Sequence, residues 1–116
     1  MHRFKNLEIW KLGREFCSDI YTITSKFPDT EKFGIINQLR RAAVSVPSNI
    51  AEGASRKSNR DFSRFLEIAI GSIYEIETQL LISQDLGFAE KSEVDSLLRK
   101  LNSILKMTSK FKSTLD

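Results

Sequence analysis

Gln38-Leu39-Arg40-Arg41-Ala42-Ala43-Val44-Ser45-Val46-Pro47-Ser48-Asn49-Ile50-Ala51-Glu52-Gly53 is the stretch that decides the fold of this chain. With Ile36 just before it, Leu39, Ala43, Val46 and Ile50 recur every three or four positions, the period of a helix with one apolar face. Pro47 interrupts that pattern. It removes one backbone hydrogen bond and presses its ring on the carbonyl of Ala43, at a cost of ~3 kcal/mol in an undistorted helix. Small neighbours (Ala42, Ala43 and Ser45) make room for a bend, so a proline kink is expected. The alternative is a break, with Pro47 at the first position of a new short helix. Asn49 and Glu52 follow one turn apart. Their expected role is structural, satisfying backbone groups freed by Pro47 or capping the turn before Gly53.

Outward from that block, nearly every apolar residue falls on the same helical period. The first segment carries Ile9, Leu12, Phe16, Ile20, Ile23 and Phe27, with Trp10, Cys17 and Tyr21 on the shoulder of the stripe. Asn6 is its expected N-cap, and Pro28 ends it by excluding the helical region for its predecessor. The second helix is expected to start after Asp29 or Thr30. A third opens at Ser58 or Asn59, carries Phe62, Phe65, Leu66, Ala69, Ile73, Ile76 and Leu80, and closes on Gly87. The fourth runs from about Ser92 through Val94, Leu97, Leu98, Leu101, Ile104, Leu105, Phe111 and Leu115. No segment alternates with period two. Four helices of roughly 20–28 residues joined by short turns predict an all-α, up-down-up-down four-helix bundle occupying residues 1–116 as one domain.

The composition excludes several classes. No run of apolar residues is long enough to span a membrane, and the amino terminus lacks the apolar core of a signal peptide. The single cysteine cannot form an internal disulfide, which is the pattern of a reducing, cytoplasmic setting. Net charge is only +3, but it is unevenly spread. Residues 32–64 hold seven basic side chains against two acidic ones, residues 65–95 hold one against seven, and residues 96–116 hold five against one. Such asymmetry steers a charged partner or pairs subunits.

With these residues in view, the chain resembles the four-helix-bundle proteins encoded by intervening sequences within bacterial 23S ribosomal RNA genes. Leu7, Trp10, Phe27-Pro28, Glu31 to Gly34, Gln38 to Gly53, and Phe65-Leu66 to Gly71-Ser72 carry the resemblance. That family is similar in turn to the accessory variability protein of diversity-generating retroelements, a partner of a reverse transcriptase. The resemblance implies a left-handed bundle assembled into a ring, a homopentamer, with a basic surface that meets nucleic acid. RNA or a reverse-transcriptase-like protein is the partner so implied.

The candidate nucleic-acid contacts are Arg56, Lys57, Arg60 and Arg64, with Arg40 as a fifth. Arg56, Arg60 and Arg64 are spaced by four and share a face if the turn before the third helix is tight. Cations near a helix N-terminus oppose its dipole, and a bound phosphate relieves that conflict. The plainer reading is a solvated turn with Asp61–Arg64 and Arg64–Glu67 pairs. Arg40 and Arg41 diverge by about 100° on a helix; one is expected to pair with Glu75 or Glu52, across the bundle or at a subunit contact. Ile68, Gly71, Glu75 and Ile82, with Leu86, form a second face on the third helix, expected with Arg41 to meet another subunit. Arg99, Lys106 and Lys110 make a basic stripe on the last helix, joining an RNA surface only if assembly brings it near Arg56–Arg64.

Enzymatic signatures are absent from the sequence. It has one His, at position 2, and no Glu-x-x-His pair of the kind a di-iron bundle uses. It has no glycine-rich phosphate loop and no nucleophile elbow. Neither a metal, a cofactor nor a small-molecule substrate is expected. The expected function is a non-enzymatic, oligomeric helical adaptor that binds RNA or an RNA–protein complex. A protein-interaction scaffold without nucleic acid is the alternative.

Overall fold

In the computed structural model, which describes residues 2–116, four helices account for most of the chain. They are α1 (Glu8–Thr24), α2 (Ile35–Ala54), α3 (Asn59–Asp85) and α4 (Lys91–Ser113), and no strand occurs among the described residues. α2 touches α1 and α3, α4 touches α3 and α1, and the pairs α1/α3 and α2/α4 lie on the diagonals. This is the up-down-up-down bundle that the apolar periodicity predicts, 43 × 24 × 20 Å along its principal axes.

Each helix contributes its apolar stripe to a common core: Phe16 and Ile20 from α1, Leu39 and Ile50 from α2, Phe62, Leu66, Ile73 and Leu80 from α3, Val94 and Leu101 from α4. Burying one such side chain stabilises the fold by about 1.5–3 kcal/mol. The stripes therefore outweigh any single surface pair.

The helix ends depart from the sequence reading in three places, one of them the end of α1, which stops at Thr24 before Phe27 and Pro28 are reached. Asn6 is not the cap of α1; it closes a short 3-10 turn (Phe4–Asn6), and Leu7 takes the cap position without a side-chain bond. Asp29 and Thr30 likewise do not open α2. They begin another 3-10 turn, Asp29–Glu31, and α2 starts after Gly34. In both places backbone bonds of a 3-10 turn form before the helix begins, the Asn6 amide donating to Arg3 and the Lys32 amide to Asp29. The third helix starts and stops where expected. Ser58 Oγ accepts the Asp61 amide at 3.1 Å, and Gly87, at φ 78°, ends the helix in a left-handed turn. The Gly87 amide donates to Gln84 and the Phe88 amide to Ser83, which satisfies two terminal carbonyls.

α2 is continuous through Pro47, so no second helix begins there. The carbonyl of Ala43 has no Pro47 N–H to accept from. Its partner comes from α1: the Cys17 thiol donates to it at 3.1 Å. Pro47 itself is buried against α1 where Gly13 leaves space, and a Cβ on Gly13 would meet Val46 at 3.4 Å and Pro47 at 3.6 Å.

Candidate functional site

The antiparallel topology places the start of α1, the end of α2, the start of α3 and the end of α4 at one end of the bundle. The Phe62 and Phe111 rings pack 5.4 Å apart there, with the His2 ring 5.1 Å from Phe62. Lys112 on α4 reaches Glu67 on α3 at 3.4 Å. The last turns of α4 therefore lie alongside the first turns of α3. Lys110 and Lys112 thus lie at the same end of the bundle as Arg56, Lys57, Arg60 and Arg64 within a single subunit, Lys112 on the α3 side and Lys110 on the α1 side. Of the expected stripe of Arg99, Lys106 and Lys110, Arg99 lies further from this end along α4, beside Ile73 and Glu77; chain-distant helix ends cannot be placed before the topology is known.

Within this end the four α2–α3 cations differ. Arg56 lies in the turn after α2, not on α3, so Arg56, Arg60 and Arg64 do not share one helical face. Its guanidinium is held by Glu52 at 3.0 Å and lies over the Phe65 ring at 4.8 Å. Arg64 stands 4.0 Å from Asp61, and both are largely exposed, an ion pair worth little. The expected Arg64–Glu67 pair does not form, because Glu67 turns to Lys112. Among the described residues, no ion pair engages Lys57, Arg60, Lys106 or Lys110. The helix end beside them is already partly satisfied, by the Ser58 cap and by Asp61 in the first turn.

Within the subunit neither Arg40 nor Arg41 pairs with Glu75 or Glu52. Arg40 folds back along α1, donating through Nε to Thr24 Oγ1 at 2.9 Å and lying over the Tyr21 ring at 4.4 Å. Arg41 is exposed. Both line a groove with Lys32, Phe33 and Tyr21. Sequence reasoning missed Phe33, which falls between two helices and outside every stripe. Its one signal was that same misfit, a bulky aromatic in a turn.

Asn49 and Glu52 do not serve the carbonyl freed by Pro47. Asn49 Nδ2 donates to the Ser45 carbonyl at 2.8 Å and to Ser45 Oγ at 2.9 Å, and Ser45 Oγ shares a hydrogen bond with Ser72 Oγ of α3 at 2.8 Å. Gly53 marks a close approach of α2 to α3. A Cβ there would sit 2.8 Å from both Phe62 and Phe65. On the outer face of α3, Ile68, Gly71, Glu75, Ile82 and Leu86 are exposed, and no atom comes within 4 Å of where a Gly71 Cβ would be. Burial raises the Cys17 pKa, so the thiol keeps the proton it donates. Among the described residues no three His, Cys, Asp or Glu side chains converge as a metal site would require, and no helix is long and apolar enough to cross a membrane.

Over this bundle the sequence profile of the 23S rRNA-intervening sequence protein family matches residues 5–110. The chain belongs to that family. A family member's function is not given by its fold. Among solved structures, the chain is similar to a protein of unknown function from the S23 ribosomal protein family of Bacteroides thetaiotaomicron VPI-5482. The two are 21% identical with a TM-score of 0.80, over 90% of this chain and 97% of the other, a likeness of fold. No curated protein matches this chain. For a member of the 23S rRNA-intervening sequence protein family, the site has to be read from its own residues.

Proposed function

We propose that this family member is a non-enzymatic, oligomeric adaptor whose basic bundle end binds RNA, alone or within an RNA–protein complex. One observation carries the reading: two basic blocks distant in sequence meet at the same end, and several of their cations have no carboxylate partner among the described residues. Uncompensated cations repel one another, and a phosphate backbone relieves that repulsion while releasing counterions. Such contacts position a protein on RNA without reading its sequence. Lys57 and Arg60 carry the largest share, since Arg56 is held by Glu52 and Phe65. A cytoplasmic setting suits this role and the lone reduced thiol.

Titration of a labelled RNA pool at low salt tests the reading. Replacing Arg56, Lys57, Arg60 and Arg64 with glutamine is expected to weaken binding at least tenfold. It should also flatten the salt dependence by about 0.7–0.9 in logarithmic slope for each phosphate that is no longer neutralised. Absence of binding at low salt, or binding unchanged by the four replacements, would falsify it.

The exposed apolar residues of α3 favour a second reading, a protein-interaction scaffold. Ile68, Ile82 and Leu86 are 50%, 42% and 58% exposed on one helix, more apolar surface than isolated exposure explains. In that reading the charge asymmetry organises subunits, and salt dissociates the oligomer.

A further inference from the structure

Away from the basic end, where the last turns of α1 run beside the start of α2, the surface opens into a groove of about 780 Å³. Tyr21, Lys32, Phe33, Asn37, Arg40 and Arg41 form most of its wall. Phe33 is 89% exposed, so its ring is presented almost whole to whatever enters. Three cations line the groove and no carboxylate does. Lys32 Nζ stands 5.8 Å from the Phe33 ring, and Arg40 is fixed on Tyr21 by its bond to Thr24. The wall is thus partly preorganised, with Arg41 and Lys32 left as exposed charges.

A ligand that complements this groove must bring a flat face for Phe33 and negative charge for Lys32 and Arg41. A nucleotide in single-stranded RNA carries both within one residue, a base face and an adjoining phosphate. Duplex RNA hides its base faces in the stack. An acidic peptide matches the charge but offers the ring no flat partner of its own.

We infer that this groove holds an unstacked nucleotide of single-stranded RNA, with the base on Phe33 and the phosphate between Arg41 and Lys32. The inference extends the RNA reading to a second surface, and its test separates the two. Full-length protein is titrated by fluorescence anisotropy with a twelve-nucleotide oligouridine, a duplex RNA of the same length, and a poly-glutamate peptide. Phe33→Ala removes a ring that packs little, so the fold is retained. It is expected to weaken oligouridine binding on the order of tenfold, as base–aromatic stacking does, with the salt slope unchanged. Arg41→Gln is expected to weaken it with a slope shallower by about 0.7. Duplex binding is expected to hold in both variants.

Unchanged oligouridine binding in Phe33→Ala overturns the inference; if Lys57→Gln with Arg60→Gln still abolishes RNA binding, the basic-end reading survives alone. Loss in Phe33→Ala with none in the Lys57 and Arg60 variant supports the groove and removes the basic end. Poly-glutamate binding that falls equally in Phe33→Ala assigns the groove to an acidic protein instead. A change in the mass of the free protein on Phe33→Ala assigns it to a second copy of the chain.

Discussion

Pro47 creates a backbone acceptor with no donor of its own helix, and Cys17 on the neighbouring helix supplies one. Leaving a buried carbonyl without a partner costs about 1–3 kcal/mol. Cys17→Ala is therefore expected to destabilise the fold by that order, and by distinctly less in a Pro47→Ala background, where an amide N–H returns to Ala43. A double-mutant cycle by urea unfolding measures the coupling; equal costs in both backgrounds would show that the thiol bond carries no energy. The raised pKa adds a sign. Because folding favours the protonated thiol, its contribution is full below the ordinary thiol pKa and is lost as pH rises through the folded value. At this scale the sequence showed the problem and hid the solution. Pro47 announces a missing N–H from its residue type alone, whereas its remedy sits on another helix and needs the packing. The same is true of Gly53: its place at the corner is visible, but the reason for glycine is the approach of Phe62 and Phe65.

Elements were the most readable level, because a 3.6-residue apolar period survives any misjudged end. The stripes of all four helices form the core as the periodicity predicts, with Leu12, Phe65, Leu98, Leu105, Phe111 and Leu115 half-buried at its edge. The ends of α1 and α2 were misread, since Asn6 and Asp29 suit a 3-10 turn as well as a cap. Ser58 and Gly87 were readable because each has a geometry few other roles use. α2 and α3 are further joined by Ser45, Ser72 and Asn49, a small polar layer in an apolar seam. The outer face of α3 leaves Ile68 and Ile82 exposed. Replacing Ile68 and Ile82 together with glutamate is expected to keep the unfolding free energy within about 0.5 kcal/mol of the parent's, the usual range for exposed sites. The same change is expected to lower the mass in solution if this face joins subunits. An unaltered mass would release the face from that role.

At the scale of the whole molecule the charge is polarised along the bundle. Basic residues of α3's start and α4's end share one pole, while Asp85, Glu90, Glu93 and Asp95 lie toward the other. There Lys26 bonds Glu93 at 2.6 Å and holds its carboxyl below the usual range. Sequence blocks of opposite sign foretold asymmetry; the antiparallel topology divides the first positive block, bringing Arg56, Lys57, Arg60 and Arg64 to the pole where α4 ends and leaving Lys32, Arg40 and Arg41 toward the other. The groove at Phe33 was not readable at all, because its walls come from a turn and two helices that periodicity treats separately. In the proposed reading the cations of the basic pole meet RNA, in the alternative they join subunits, and salt acts on the two in different ways. Light scattering decides between them, with mass measured at low and high salt, with and without a mixed RNA pool. We expect a multimer whose mass holds in high salt and that gains RNA mass only at low salt. A multimer that falls apart in salt and ignores RNA would contradict the adaptor and make the charge a link between subunits.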